Sequence, residues 1–535
     1  MPETQHFSRA AVAAPHHLAA AVGRDVLLEG GNAIEATVAM AASIAVVYPH
    51  MNGLGGDGFW TIGEPGRGGG LGPVRVVMAG GPAAQAATIR RYRDKGYDAI
   101  PPRGPDAALT VPGTVDGWRA ALELSAALGG TLPLDRLLGP AIAQARDGVP
   151  VSRSEANGTP NAWDALRGAP GFADHFLVEG KLPTAGTLRR QPALAATLEQ
   201  LAHAGLGDFY RGDVAREMAA DLGRIGSPLT REDLRGFTAR WAKPLELRLG
   251  DCTVYNAPPP TQGLASLLIL GFFERLAVTE PGGFAHLHGL IEAAKPALAI
   301  RDAACMDPRF APPGDPAAWL AAAALEREAA RIRPDRSALL PVRFGHGDTI
   351  WMGAIDAAGL AVSFIQSVYW EYGSGCVLPR TGLLMKNRGV AFSLDESSPH
   401  ALRPGRYPFH TLNPPLAAFD DGRVLGYGSM GGDGQPQFQS QVFTRYRLGQ
   451  GLADAVEAPR FLWGRTWGAA STATHMENRF DPSLVAQLER AGHEVALRTE
   501  PYAEMFGHAG GVLRHVQGDL EATHDPRSDG GPDGF

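Results

Sequence analysis

The chain changes texture near residue 347, and this change limits its fold more than any other feature. Up to about residue 332 the apolar residues recur mainly at helical spacing, whereas after a loop over 333–347 they gather in short runs bounded by turn residues. Thr349–Ile355 and Leu360–Ser367 read as two strands joined by Asp356-Ala357-Ala358-Gly359, a hairpin signal. Further short strands are expected at 382–385, 416–419 and 424–427, and helices at 437–448 and 482–491. Helices followed by sheet point to a layered α+β fold in which helices cover packed sheets.

The helical part carries its own punctuation. A helix from Leu18 stops at Gly30-Gly31, and Asn32 caps a second one through about Val47, closed by Pro49. Two amphipathic helices are expected at 113–128 and 134–147, and a mainly helical stretch over 191–242 with a capping-box start at Thr230. Val254–Gly263 reads as a strand running into Pro258-Pro259-Pro260-Thr261-Gln262-Gly263, followed by helices that include 286–302. Residues 65–73 and 98–106 are rich in Gly and Pro and read as loops.

With 535 residues, 44% of them hydrophobic, the chain can bury a large core, and its net charge of -7 without a basic block argues against a nucleic-acid or acidic-membrane partner. Cys252, Cys305 and Cys376 lie far apart, which fits a reducing, cytoplasmic setting and neither a disulfide framework nor a cysteine zinc site. The Ala-rich N-terminus lacks a basic start and is interrupted by Pro15-His16-His17, so no signal peptide is expected. No apolar run reaches the ~18 residues of a membrane span.

Several motifs bear on chemistry. Gly53, Gly55 and Gly58 have dinucleotide spacing, but a strand follows where a helix is required, so a tight turn into a strand is the better reading. His286 and His288 form an HxH pair on a helix, where i and i+2 diverge, and with no matching His/Asp set nearby no metal is expected. Tyr427 displaces the first glycine of a GxSxG elbow, which makes Ser429 a poor nucleophile. Three features converge on Thr349: the strand start itself, the turn Gly428–Gly434 whose bare N–H groups suit an oxyanion, and a polar set of Ser367, Arg388, His410, Thr411 and Asn413. Freed as an N-terminus, Thr349 would carry a nucleophilic hydroxyl and a basic amine together; as an ordinary residue it simply opens a buried strand.

In order and over nearly the whole chain, GGNAIEATVAMAASIAVVYPHMNGLGGDGF, VPGTVDGW, LPLDRLLGPAIAQARDGVPVS, APPPTQG, IEAAKPALAIRD, DTIWMGAIDAAG, GSMGGDG and HDPRSDG resemble the gamma-glutamyltransferase family of N-terminal nucleophile hydrolases. That resemblance implies a four-layer αββα sandwich and a proenzyme that cuts itself at Asp348-Thr349 without a cofactor. It implies a large chain, 1–348, and a small one, 349–535, interlocked as a heterodimer, with further dimerisation left open. Thr349 would be the nucleophile, Ser367 its supporting hydroxyl, and the N–H groups of Gly431 and Gly432 the oxyanion hole.

The departures from the family pattern concern the substrate. The arginine expected within the segment at Met78-Ala79-Gly80-Gly81 is missing, Ala391 stands where an acidic residue would hold an α-amine, and Arg388 replaces a neutral amide. His410 and Thr411 replace paired serines, and Tyr369 an asparagine. Such a pocket is expected to take a small molecule with a carboxylate and no ammonium group, bound by Arg388 with His410, Thr411 and Tyr369 alongside. Arg388 could instead pair with a structural carboxylate such as Asp395. Segments such as GDTIW, SFIQSVYWEYGSG and PGRYPFHTLNPPLA resemble the members that hydrolyse oxamate to oxalate and ammonia. The alternatives are a glutathione hydrolase or transferase, an acylase of the same family, or a catalytically silent member.

Overall fold

The computed structural model describes residues 4–66, 70–338, 347–464 and 471–535. Its centre is a pair of seven-stranded antiparallel sheets. One runs Gln5–Phe7, Leu520–His524, Ala509–Arg514, Val424–Ser429, Leu416–Phe419, Cys252–Asn256, Leu245–Arg248. The other runs Gly531–Gly534, Ala11–Ala14, Asp348–Ile355, Ala361–Tyr369, Asp57–Pro65, Leu71–Ala79, Arg240–Ala242.

Strand periodicity explains the layers. In Asp348–Ile355, Trp351 and Ile355 join the cluster between the sheets, while Ile350, Met352 and Ala354 face the helices. The Trp351 indole is accommodated because the facing strand carries Gly428, where a Cβ would stand 2.1 Å from the ring. Its Nε1 donates to Ser363 Oγ at 2.9 Å. Helices Ala33–Val47, Thr114–Ala127 and Leu134–Asp147 cover the second sheet, and Gly263–Glu274, Phe284–Ala304 and Gln435–Arg447 cover the first. The result is the four-layer αββα sandwich of N-terminal nucleophile hydrolases.

The local signals of the sequence appear in the structure. Asn32 closes a full capping box with Glu35, Thr230 another with Asp233, and the glycine turn at 53–56 leads into a strand. Some readings need correction. The strand Leu71–Ala79 begins inside the expected loop 65–73, because pairing with Asp57–Pro65 extends it. The stretch 191–242 ends in the strand Arg240–Ala242, which completes the sheet edge. Ala11–Ala14 is a fully buried strand despite alanine's weak strand preference, since partners on both sides supply the ladder. The strand expected over 254–263 stops at Asn256. Most of the loop expected over 333–347 lies outside the described residues. No helix among the described residues is long and apolar enough to cross a membrane.

Candidate active site

Thr349 is the second residue of the strand Asp348–Ile355 and is 1% exposed. Its Oγ1 donates to the carbonyl oxygen of Asp348 in a short contact and accepts from Gln435 Nε2 at 3.2 Å. On the next strand, Ser367 Oγ donates to that same Asp348 carbonyl at 2.5 Å and accepts from the Tyr369 N–H at 2.7 Å. The Asp348-Thr349 peptide is therefore held with a hydroxyl beside it and a second hydroxyl polarising its carbonyl. A register irregularity between Asp348 and Ile350 sets this residue off from the ladder.

The turn after Val424–Ser429 faces this peptide. Gly431 and Gly432 have φ of 125° and 51°, and a Cβ on Gly432 would lie 2.8 Å from Gly347 Cα. Only glycine meets both demands. Gln262 Nε2 ties the turn down by donating to the carbonyls of Gly432 (2.7 Å) and Thr411 (2.8 Å), and Arg301 Nη1 bonds Gln262 Oε1 and Asp433 Oδ1, each at 3.1 Å. Ser429 points elsewhere, its Oγ donating to Met430 O. Gln435, Gln262, Arg301 and Asp433 were missed in the sequence; the only hints were their places in GSMGGDGQPQ, APPPTQG and IEAAKPALAIRD.

Tyr369 stands opposite Asp348 in the strand register, with φ at 88°, a strained value for a non-glycine residue. The Arg388 guanidinium lies over its ring, 3.3 Å from the centroid. Arg388 is 1% exposed; Nη1 donates to Thr411 Oγ1 at 3.0 Å, whereas Nε and Nη2 have no partner among the described residues. Burial accordingly lowers its pKa. The carboxylate of Asp395, the structural partner considered for it, instead accepts from Ser397 on an exposed turn.

His410 is engaged by protein groups at both ring nitrogens. Nε2 donates to Asp57 Oδ2 at 3.0 Å, and Nδ1 accepts from the Leu412 N–H at 3.4 Å. Burial, with the Arg388 and Lys386 charges, lowers its pKa to about 4, so the ring is neutral. Asp57 also accepts from Lys386 Nζ and from Gly81 N. A Cβ at Gly80 would stand 2.9 Å from Phe59 and 3.3 Å from His410, so no long side chain fits there.

His286 and His288 diverge as expected, His286 to Thr444 and His288 to His493. The expectation that no matching ligand lies near them is corrected: His288, Glu292 and His493 present ligand atoms within 4.8 Å of one another. His493 is 205 positions from His288, beyond the reach of a spacing argument. Lys295 Nζ sits 2.5 Å from Glu292 Oε1 and already supplies the cation there.

Comparison with known proteins identifies the family and the fold. The model for gamma-glutamyltranspeptidase matches residues 19–535. The chain is 49% identical over 524 residues to the oxamate amidohydrolase proenzyme of Klebsiella pneumoniae, covering 98% of each. It is 32% identical to the glutathione hydrolase proenzyme of Pseudomonas aeruginosa over 81% of this chain and 78% of that one. The crystal structure of cephalosporin acylase from Bacillus halodurans superposes with a TM-score of 0.91 at 29% identity, covering 100% of this chain and 97% of the other. By sequence and by fold the chain belongs to the gamma-glutamyltranspeptidase family, as a hydrolase of amide bonds.

Proposed function

We propose that the chain cuts itself between Asp348 and Thr349 and then hydrolyses a small acid amide, oxamate, to oxalate and ammonia. Arg388 carries this reading: a buried cation with two donors unpartnered among the described residues, stacked on the tyrosine that faces the scissile residue. An unpaired buried cation is costly, and a carboxylate received by Nε and Nη2 in a bidentate fork offsets that cost. Oxamate has such a carboxylate directly bonded to its amide carbon, so both can be reached from one small pocket. Thr411 and Tyr369 fix the guanidinium, and neutral His410 shapes the wall against Asp57. Ala391 offers nothing to an α-ammonium group, which disfavours a γ-glutamyl substrate. The 49% identity to a protein named for oxamate supports the same choice.

In the first reaction Thr349 Oγ adds to the Asp348 carbonyl, the bond to nitrogen breaks, and water cleaves the resulting ester. Residues 1–348 and 349–535 stay together because each central sheet takes strands from both. In the second, the Thr349 amine, with a reference pKa of about 8, takes the hydroxyl proton. Thr349 Oγ attacks the amide carbonyl, the N–H groups of Gly431 and Gly432 receive the oxyanion, ammonia leaves, and water releases oxalate from the acyl-enzyme. Gln435, already bonded to Thr349 Oγ1, orients the nucleophile.

The test pairs N-terminal sequencing of the purified protein with an ammonia-release screen. A fragment beginning at Thr349, with turnover of oxamate and none of a γ-glutamyl anilide, is expected. Anilide turnover without oxamate turnover would replace the substrate; an intact chain would remove the mechanism.

A further inference from the structure

In the reaction above only the carbonyl of Asp348 takes part, yet its side chain is placed against the other end of the breaking bond. Oδ1 accepts from the Thr349 N–H at 2.8 Å. Oδ2 is buried with no hydrogen-bond partner among the described residues. No arginine or lysine among the described residues pairs with this carboxyl, and the charges that bear on it are those of Glu371 and Glu504. Cations lining the same cavity are engaged elsewhere: Arg103 on the carbonyls of Glu371 and Gly373, Arg153 on Ser528 O and Asp529, Arg498 on His475 Nδ1, and Arg527 on Glu477 and Asp525. His50, on the cavity wall, is neutral, its pKa lowered to about 3 chiefly by burial. Burial, with the neighbouring Glu371 carboxylate, pushes the Asp348 pKa well up and so favours the protonated carboxyl.

We propose that Asp348 is the general acid of its own cleavage, handing its carboxyl proton to the Thr349 nitrogen as the carbon–nitrogen bond breaks. The inference rests on the self-cleavage proposed above. Thr349 Oγ–H adds across the Asp348 carbonyl: the Oγ–C bond forms, and the hydroxyl proton passes to the carbonyl oxygen it already touches, with Ser367 steadying the charge. The nitrogen becomes tetrahedral and exposes a lone pair. A half-turn about Cβ–Cγ brings the protonated oxygen to it. The proton transfers, the C–N pair stays on nitrogen, the C=O re-forms as an ester, and the hydroxyl proton returns to the carboxylate. Amide and alcohol become ester and amine, and Asp348 ends protonated as it began. Without that proton the leaving group would be an amide anion, far poorer than an amine.

The cavity beside Asp348, 1340 Å³ in volume, makes the idea accessible to chemical rescue. Full-length chain would be made by cell-free synthesis and its cleavage followed by denaturing electrophoresis and N-terminal sequencing. Asp348→Ala and Asp348→Asn are expected to cleave about 100-fold more slowly or worse, with melting temperatures that report folding. Formic acid is expected to speed Asp348→Ala, whose missing side chain leaves room for it, and not Asp348→Asn. Hydroxylamine, which cuts esters, is expected to release no fragment from the stalled Asp348→Ala chain, because the ester has not formed. Release by hydroxylamine, or cleavage of Asp348→Ala within about 3-fold of wild type, overturns the inference and leaves self-cleavage standing. Should neither variant fold, the wild-type rate decides: it is expected to hold or fall as pH rises from about 6 to about 9, and a rate that climbs refutes an acid role. A wild-type chain that never cleaves removes self-cleavage itself and this inference with it.

Discussion

Replacing Arg388 with methionine separates binding from every other property of the site. The side chain is buried, makes one hydrogen bond, to Thr411 Oγ1, and leaves Nε and Nη2 without partners among the described residues. Two charge-assisted hydrogen bonds to a substrate carboxylate are worth about 1.5–3 kcal/mol each, so their loss costs about 3–6 kcal/mol. At about 1.4 kcal/mol per tenfold, that is about two to four powers of ten in kcat/KM. The loss should fall mainly on KM, since the carboxylate is held throughout the reaction rather than only in the transition state. Fold stability should move the other way or not at all. Methionine keeps much of the volume and removes a buried cation whose donors are largely unpaired, so Tm should hold or rise. Self-cleavage should proceed normally, because no hydrogen bond joins Arg388 to Asp348, Thr349 or Ser367. Ammonia release against oxamate concentration, a melting curve and a denaturing gel read all three quantities. A kcat/KM within about 3-fold of wild type, in a correctly cleaved chain, refutes the assignment.

Other perturbations probe the remaining parts. Ser367→Ala removes the hydroxyl that donates to the scissile carbonyl; cleavage should slow by about 100- to 1000-fold in a gel time course, as for a lost oxyanion donor. Asp57→Asn leaves Lys386 buried without its counter-ion and loosens His410, which should cost about 3–5 kcal/mol in denaturant unfolding. Glu504 has its pKa raised by burial to about 7 from an ordinary 4.5. Because the folded carboxyl holds its proton more tightly than the unfolded one, the stability it contributes is complete below about 4.5 and lost as pH rises to about 7. Relative to Glu504→Gln, wild-type Tm should therefore fall across that window, and parallel Tm curves would refute the assignment.

The readable parts of the sequence were those governed by neighbours. Asn32 with Glu35, and Thr230 with Asp233, lie three residues apart and satisfy each other within one helical turn. The hairpin around Asp356–Gly359 is equally local: Asp356 Oδ1 accepts from the N–H groups of Ala358 and Leu360. The strand Ala11–Ala14 was hidden in an alanine run because its pairing partners lie at 353–355 and 531–534. The His288–Glu292–His493 cluster was hidden for the same reason.

The site divides along the same line. By itself the sequence supplied the groups of the candidate site: a threonine at a strand start, a glycine turn able to adopt positive φ, and an arginine where the family resemblance implies a neutral amide. These are matters of residue type, and residue type is covalent. Only the tertiary structure decided how those groups are used. It aimed Ser367 at the Asp348 carbonyl and brought Gln435 to Thr349 Oγ1 from 86 positions away. It bound His410 to Asp57 and laid Arg388 on Tyr369 with two donors left over. Hydrogen bonds and burial depend on distances between segments far apart in the chain, and those distances exist only once two sheets have closed around the threonine.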